Sequence, residues 1–426
     1  MDPTLYNAAV KGNTSDGDFS LAEYLKRDEE IGYQVTPKGN TVLHVAANEG
    51  HFHFVEEVLK ITPVLLCHQN KRNETALHIA ANEGHTEVVR VLLSIAGEET
   101  LMRMPNENGD TALHKAVRSG HVDVVKIILE KEKDPEFEYP ANNAGETPLY
   151  LAAESGFIDI LREILESCKN PNYGAGPFGR TPLHAAIVQR HVDCARLLWQ
   201  RNKSLCEEPD KWGWNSLHYA VKLGLIEVVY NMLRWKKSLA YLRAGSENDW
   251  TTVIHIAVGE VDLGREYAED VLSELLQHCP DCWEMLNSMG QNALHVAVMN
   301  GQAALLLTLL KSVNWGSLVD EPDNDGNTPM HLLARGQFFN KNEIDLQRRY
   351  TNSALSELMI HRQKWMMTFN KDNQTPYDIF SCALTENSKL EVSTYRHLIT
   401  PSVQFFVKVS LFGSQTVFLL LIFSSP

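Results

Sequence analysis

One recurring pattern constrains the fold of this chain more than any other feature. Its clearest copy runs from Gly39 to Lys60 and reads GNTVLHVAANEGHFHFVEEVLK. Each copy is anchored by one apolar residue, and the anchors are Leu43, Leu77, Leu113, Leu149, Leu183, Leu217, Ile254, Leu294, Met330 and Tyr377. Successive anchors are 34, 36, 36, 34, 34, 37, 40, 36 and 47 residues apart. This period predicts an all-α solenoid of helix-turn-helix units, because such a unit can bury its apolar face only against its neighbours.

The residues within one copy follow helix geometry. Thr41 is placed to cap a first helix by accepting a hydrogen bond from the backbone N–H of His44. Leu43 and Ala46 then fall on one face of that helix, and Gly50 suits a left-handed residue just after its end. A second amphipathic helix follows, and polar stretches rich in Asn, Asp and Gly predict short hairpin turns between units.

The pattern G-x-T-x-L-H-x-A-A-x-x-G-H resembles the ankyrin repeat, in five close and five degenerate copies between Gly39 and Ala383. The resemblance implies an ankyrin-repeat solenoid with short β-hairpin turns over residues 38–383. Its predicted repeats are 38–67, 72–101, 108–137, 144–173, 178–207, 212–242, 249–285, 289–318, 325–368 and 372–383. Residues 1–31 keep the spacing in Leu5, Ala8 and Gly12, which predicts a divergent N-terminal capping repeat.

Several departures from the pattern carry their own expectations. Tyr150 replaces the motif His, and Arg190 replaces the glycine after a first helix, so we expect that helix to end differently. The copy from Thr251 carries extra residues, Asp262–Asp270, before its second helix. The copy from Gly326 carries an insertion around Phe338–Asn352.

The chain end differs in kind from the repeats. Residues 384–402 are polar and predict a linker. Residues 403–423 are mostly apolar but include Lys408, which makes them a borderline hydrophobic segment for a membrane-spanning helix of about 20 apolar residues. Three alternatives remain open for Val403–Phe423: a membrane segment, a helix packed on the last repeat, and a chain end that does not complete a domain.

A narrower resemblance rests on the copies HVAANEGH, HIAANEGH and GWNSLHYAV, the long degenerate later repeats and the apolar end. Together they resemble plant membrane-tethered ankyrin proteins of the accelerated-cell-death type, whose C-terminal domain is named for a Pro-Gly-Gly motif. That motif and its further hydrophobic helices are missing from this sequence. The resemblance implies an adaptor in defence, cell-death or stress signalling at the cytosolic face of the plasma membrane.

Net charge limits the class of binding partner, and cysteine content indicates the redox state of the compartment. Lys plus Arg number 39 against 54 Asp plus Glu, a net charge of −15, which argues against nucleic-acid binding because that rests on clustered cations. Seven scattered cysteines without framework spacing, and no N-terminal signal peptide, predict a reducing compartment.

No pattern in the sequence predicts catalysis, a metal site or a cofactor. The motif histidines recur one repeat apart, so a hydrogen bond to the capping threonine explains them better than a shared ion. Cys279-Pro-Asp-Cys282 is a lone C-x-x-C without further zinc ligands at matching spacing, which indicates ordinary thiols at a helix end. Phosphate-binding loops, zinc-protease and nucleophile-elbow motifs do not occur in the sequence.

The remaining feature is a surface for protein partners, formed by the concave face and the turn tips. Buried aromatic residues dominate interface energies, which makes the aromatic tips and their charged neighbours the candidate partner-binding residues: Phe178, Lys211, Trp212, Trp214, Asp249 and Trp250. For Trp214, packing against a neighbouring turn is the stronger interpretation. Three functions compete: a membrane-associated signalling adaptor, a soluble cytosolic scaffold or truncated competitor of longer relatives, and an enzyme with an unrecognised site.

Overall fold

The computed structural model describes residues 1–16, 19–31, 33–94, 98–134, 136–174, 176–246, 249–259, 265–301, 305–306, 318–335, 368–376 and 378–379. The predicted linker at 384–402, the segment Val403–Phe423 and the insertion at 338–352 lie outside these residues. The chain divides after Ala220 into two compact units.

Paired helices account for most of the described residues. In the first unit they are α1 (Pro3–Lys11), α2 (Leu21–Ile31), α3 (Val42–Glu49), α4 (Phe52–Ile61), α5 (Ala76–Glu83), α6 (Thr86–Leu92), α7 (Glu98–Arg103), α8 (Ala112–Arg118), α9 (Val122–Lys131), α10 (Pro148–Ser155), α11 (Ile158–Ser167), α12 (Pro182–Val188) and α13 (Val192–Arg201). The division falls within α14 (Ser216–Lys222). The second unit holds α15 (Ile226–Trp235), α16 (Val253–Gly259), α17 (Arg265–His278), α18 (Ala293–Met299) and α19 (Pro329–Ala334).

Short elements complete the description. Short 3₁₀-helical segments occur at Pro63–Cys67, Lys203–Cys206, Lys237–Tyr241 and Cys282–Glu284. Pro177–Gly179 forms a tight turn that contains left-handed residues. Strands β1 (Ser15–Asp16) and β2 (Phe19–Ser20) pair antiparallel, as do β3 (Ala244–Ser246) and β4 (Asp249–Thr251), with Gly245 opposite Trp250.

The first unit is a stack of two helical layers. The first helices α1, α3, α5, α8, α10 and α12 contact one another in order, and so do the second helices α2, α4, α6, α9, α11 and α13. Each anchor leucine lies inside this stack, and Leu43, Leu77 and Leu183 have no exposed surface. Burial of one such side chain contributes roughly 1.5–3 kcal/mol. These observations confirm the predicted all-α solenoid of helix-turn-helix units.

The first helices end at left-handed residues, as predicted for the copies with glycine. The expectation that the helix before Arg190 would end differently was wrong. Gly50 and Gly84 both have φ of 80°, and Gly156 has φ of 75°. Arg190 takes the same left-handed conformation with φ of 62°, and the N–H after it donates to Ala186 O at 2.8 Å as in the other copies. The helix therefore ends in the ordinary way, and the side chain at residue 190 costs about 1–2 kcal/mol relative to glycine.

The motif histidines join neighbouring repeats through hydrogen bonds. In the first copy, Nδ1 of His44 accepts from the backbone N–H of Thr41 at 3.2 Å and lies 2.8 Å from the Thr41 hydroxyl. The ring proton therefore lies on Nε2, which donates to the carbonyl of Glu74 at 2.9 Å in the next repeat. The same bridge recurs at His78, His114, His184, His255, His295 and His331. The predicted structural role of these histidines is confirmed.

In the second unit, α16 packs on α17 and α18, α18 packs on α19, and α15 packs on α17. Helix α17 begins at Arg265, so residues 265–270 form its first turns. The expectation that Asp262–Asp270 would precede this helix was therefore wrong for its last six residues, which extend the helix by more than one turn.

Candidate functional site

One side chain, Arg180, gathers the aromatic residues of two neighbouring turn tips in the first unit. Its guanidinium carbon lies 5.8 Å from the centroid of the Phe178 ring, 5.4 Å from Trp212 and 5.2 Å from Tyr219. A cation held over an aromatic face gains about 0.5–1 kcal/mol at an exposed site and more when desolvated. Arg180 therefore lies within cation–π distance of three rings at once.

Asp210 holds this arrangement in place from within the turn. Its Oδ1 accepts from the backbone N–H groups of Trp212 and Trp214, both at 2.9 Å. Its Oδ2 accepts from the Tyr219 hydroxyl at 2.5 Å and lies 3.9 Å from Nε of Arg180. Since the carboxylate is fully shielded from solvent, these contacts fix the turn, the tyrosine and the arginine together.

Tyr219 links the arginine to the carboxylate. Nη2 of Arg180 donates to its hydroxyl at 3.2 Å, and the hydroxyl donates to Asp210. Burial, followed by the bond to Asp210, raises the pKa of Tyr219 to about 12. The phenol is therefore neutral at physiological pH and acts as a fixed hydrogen-bond relay.

Two rings of the cluster face solvent. Phe178 is 57% exposed and Trp212 is 45% exposed, and their ring centroids lie 5.2 Å apart. Lys211 is exposed beside them. Trp214 is half-buried, with its ring 5.1 Å from that of Tyr219. The structure thus places Phe178 and Trp212 as a contiguous surface pair and Trp214 as packing behind it.

Phe178 has an unusual backbone conformation. Its φ is 63° and its ψ is 21°, and Gly179 after it also has a positive φ of 73°. In the neighbouring tip only Gly213 is left-handed, with φ of 74°. A bulky residue in this region is strained by about 1–2 kcal/mol, and such strain concentrates at functional positions.

The two remaining predicted residues belong to the second unit. Trp250 lies in β4, half-buried, with the guanidinium carbon of Arg243 3.9 Å from its ring centroid. Its carbonyl accepts from the N–H of Ser288 at 3.0 Å. Asp249 is exposed at the start of β4. In the second unit Trp250 therefore packs against Arg243, and Asp249 precedes it in β4.

Sequence reasoning missed the three residues that organise the site. Asp210 occupies the turn position of Asn70, Asn106 and Asn142, whose Oδ1 atoms accept two backbone N–H groups in the same way. Alignment of the copies places Arg180 directly before a capping threonine, and Tyr219 two residues after an anchor leucine. Their positions in the copies were readable, but their convergence depends on how two repeats stack.

The structure also describes the residues considered for metal binding and for thiol chemistry. Among the residues that the structure describes, no three His, Cys, Asp or Glu side chains form a group able to hold a metal ion. Cys279 and Cys282 are buried free thiols, and burial raises the pKa of Cys282 to about 12. A thiol that stays protonated at physiological pH is a poor nucleophile.

Comparison with known proteins bears on the repeats. Three copies of a family model described as ankyrin repeats match residues 6–101, 95–175 and 168–240, more than half of the chain. The chain is 30% identical over 165 residues to the probable 26S proteasome regulatory subunit p28 of Saccharomyces cerevisiae. This match covers 37% of the chain and 66% of that protein, slightly under two thirds of its length.

A solved structure is also similar to this chain. The crystal structure of the ankyrin repeat domain of Bcl-3, a member of the IκB family, aligns with a TM-score of 0.46 and 21% sequence identity. The alignment covers 55% of this chain and 98% of that one.

Stacked helical pairs, inter-repeat histidine bridges and exposed turn tips define the class of helical-repeat interaction proteins. The chain belongs to the ankyrin-repeat family. The narrower plant family stays a prediction from the sequence. Within the described ranges, no helix has both the length and the apolar content to cross a bilayer.

Proposed function

We propose that this chain is a protein-binding scaffold that works without catalysis and that captures a partner through the ring pair Phe178–Trp212. The observation that carries the proposal is the exposure of both rings next to the half-buried side chains of Arg180 and Tyr219, which contact the buried carboxylate of Asp210. Aromatic anchors that fill a partner's pocket contribute most of the energy of an interface. Lys211 supplies a cation beside them, and Trp214 contributes packing from behind.

The support beneath the rings favours binding in entropic terms. An immobilised side chain costs roughly 0.5–1.5 kcal/mol on association. The backbone N–H of Trp212 is bonded to Asp210, and the centroid of its ring lies 5.2 Å from that of Phe178 and 5.4 Å from the guanidinium carbon of Arg180. Part of this ordering cost is therefore incurred during folding. A pre-arranged pair of rings is therefore a better anchor than two mobile ones.

The test is partner capture by the full chain and by the double variant Phe178→Ala/Trp212→Ala. Phe369→Ala is the matched control, because Phe369 is a 64% exposed aromatic residue in the other unit. We expect the double variant to lose capture of partners crosslinked to wild type, with unchanged helicity by circular dichroism, while Phe369→Ala retains it. Equal capture by the double variant contradicts the proposal. A separate Trp250→Ala variant tests whether Trp250, which follows Asp249 in β4, also contributes to partner capture.

The proposal also includes the compartment in which the scaffold acts. We take the alternative of a cytosolic scaffold in a reducing compartment, supported by buried free thiols such as Cys194 and Cys206. A role in plant defence or stress signalling at the plasma membrane stays a prediction from the sequence resemblance. The yeast relative is named as a proteasome regulatory subunit, and a scaffold role within a protein assembly is the corresponding proposal here.

Membrane fractionation with an alkaline carbonate wash separates the two settings. The full chain is compared with a version that ends at Thr400, which removes Val403–Phe423. If both forms stay in the supernatant, the cytosolic scaffold is supported. If only the full chain stays in the pellet, the segment inserts and the membrane-associated adaptor is correct.

A further inference from the structure

The turn tips of the first unit form a single row. Each tip presents two corner residues, and together these define the tip row: Pro37–Lys38, Lys71–Arg72, Glu107–Asn108, Asn143–Ala144, Pro177–Phe178 and Lys211–Trp212. The ring pair Phe178–Trp212 lies at the end of this row that is later in sequence. The row therefore joins the proposed anchor to the tips of the earlier repeats.

Backbone hydrogen bonds hold neighbouring tips side by side. The N–H of Lys71 donates to the carbonyl of Lys38 at 3.1 Å, and the N–H of Lys211 donates to that of Phe178 at 2.9 Å. Glu107 to Arg72 and Asn143 to Asn108 repeat the bond, both at 2.9 Å. Pro177 has no N–H to donate at the corresponding place. The row is therefore a regular, ordered array with one interruption just before the aromatic tips.

The tip row carries the opposite charge to the chain as a whole. It contains four cations, Lys38, Lys71, Arg72 and Lys211, and one anion, Glu107, on a chain whose net charge is −15. All four cations are exposed, and none forms an ion pair with a carboxylate in the described part of the chain. Three of the four lie in the first two tips, away from the ring pair.

From this arrangement we infer that the tip row binds an extended, acidic protein segment with one large apolar side chain. The apolar side chain contacts the ring pair Phe178–Trp212, and the acidic side chains contact Lys71 and Arg72. Neighbouring repeats are about 10 Å apart, so Phe178 and Arg72 are separated by about 30 Å. An extended chain advances about 3.3 Å per residue, which places the acidic residues about nine positions from the apolar anchor.

The observations favour a linear peptide over a flat anionic membrane. The cations follow one line of tips that leads to an aromatic pair, and they are not spread over a face. The rest of the chain is strongly acidic and repels an extended anionic surface. A single acidic strand, by contrast, meets only the tips. This inference rests on the proposed function and adds the chemistry of its partner.

The test is a selection of random 16-residue peptides displayed on phage against the immobilised full chain. Affinities of enriched peptides are then measured by fluorescence anisotropy. We expect enriched peptides to share an aromatic or large aliphatic residue and at least two Asp or Glu residues about nine positions away. We also expect the double variant Lys71→Glu/Arg72→Glu to bind these peptides at least about tenfold more weakly than wild type. Added salt should lower the affinity of wild type for the same peptides.

A matched control separates local contacts from net charge. Lys60→Glu/Lys126→Glu makes the same change in total charge on the second helices α4 and α9 and should weaken binding by less than about threefold. An equal loss in both double variants overturns the inference. Peptides that depend on Phe178 and Trp212 but lack acidic residues overturn it and leave the proposed function standing. The absence of any ring-dependent peptide overturns both.

A membrane arm uses vesicles of phosphatidylserine and phosphatidylcholine. One outcome is that the full chain co-sediments with these vesicles, that Lys71→Glu/Arg72→Glu abolishes this binding, and that no acidic peptides are enriched. This outcome assigns the tip row to a membrane surface and overturns the inference. The absence of vesicle binding together with enriched acidic peptides supports it.

Discussion

The ring of Tyr150 occupies the space that a side chain on residue 176 would need. A Cβ built on Gly176 would lie 2.4 Å from Cδ2 and from Cε2 of that ring. Tyr150 stands where eight of the other nine copies have a motif histidine, and Gly176 stands where Asn142 and Asp210 supply the oxygen that fixes the turn. Tyr150 in one repeat thus accompanies Gly176 in the turn that follows it. This altered turn is the one that contains Phe178.

Gly176→Ala is expected to destabilise the first unit by about 2 kcal/mol, because overpacking a filled site typically costs 1–3 kcal/mol. Urea unfolding followed by circular dichroism measures the change. Gly174→Ala is the matched control: its Cβ would meet only the movable Asn172 side chain, and we expect a change within about 0.5 kcal/mol. In a Tyr150→His background the cost of Gly176→Ala should fall, because the imidazole is smaller. An unchanged cost would show that the ring is not responsible.

Phe178→Gly and Phe178→Ala are expected to separate stability from binding. Both variants lose the contacts of the ring with Arg180 and Trp212, but glycine also relieves the left-handed strain, whereas alanine keeps it. We therefore expect the glycine variant to be about 1 kcal/mol more stable than the alanine variant. Both variants remove the ring and should lose partner capture to a similar extent. Thermal unfolding and capture are measured on the same preparations. A glycine variant that is less stable than the alanine variant would refute the strain.

Acidification is expected to destabilise the stack through its buried histidines. Burial lowers the pKa of His44, His114 and His184 to about 4 from an ordinary 6.5. Between these pH values the unfolded chain binds more protons than the folded one, so stability falls as the pH falls from 6.5 to 4. The loss is on the order of 3 kcal/mol per histidine by pH 4.

Urea midpoints measured at several pH values between 7 and 4 test this dependence. His184→Gln should make the dependence shallower, because one titrating ring is gone. Tyr150→His should make it steeper, because it adds a ring at an equivalent buried position. If the two variants changed the slope in the same direction, the motif histidines would not be the cause.

Asp210→Ala is expected to destabilise the first unit by about 2–3 kcal/mol, because two backbone N–H groups and the Tyr219 hydroxyl lose a buried acceptor. Asp210→Asn keeps Oδ1 as an acceptor, as in the turns of Asn70 and Asn142, and should lose less. The exposed Asp249→Ala serves as the control and should change stability by less than about 0.5 kcal/mol. Chemical unfolding measures all three, and equal losses in the Ala and Asn variants would contradict the role assigned to Oδ1.

The sequence by itself determined the repeat architecture. Thr41, Leu43, His44 and Gly50 act within one helix or across one turn, so their spacing along the chain is enough to predict caps, buried anchors and helix ends. The structural role of the histidines followed from the same local spacing. The exposed rings of Phe178 and Trp212 were also visible as tip residues. Arg190 shows the limit of local rules, since stacking imposed the left-handed conformation on a residue that disfavours it.

Only the tertiary structure decided what lies beneath the rings. Arg180 and Tyr219 are 39 residues apart, and their contact exists because two repeats stack in one register. The same stacking brings Tyr150 against Gly176 and aligns the basic tips Lys71 and Arg72 in one row with Phe178. Helix propensity and capping act over three or four residues, whereas packing joins residues a whole repeat apart. For that reason the sequence identified the candidate tips, and the stacking of neighbouring repeats determined how they are supported.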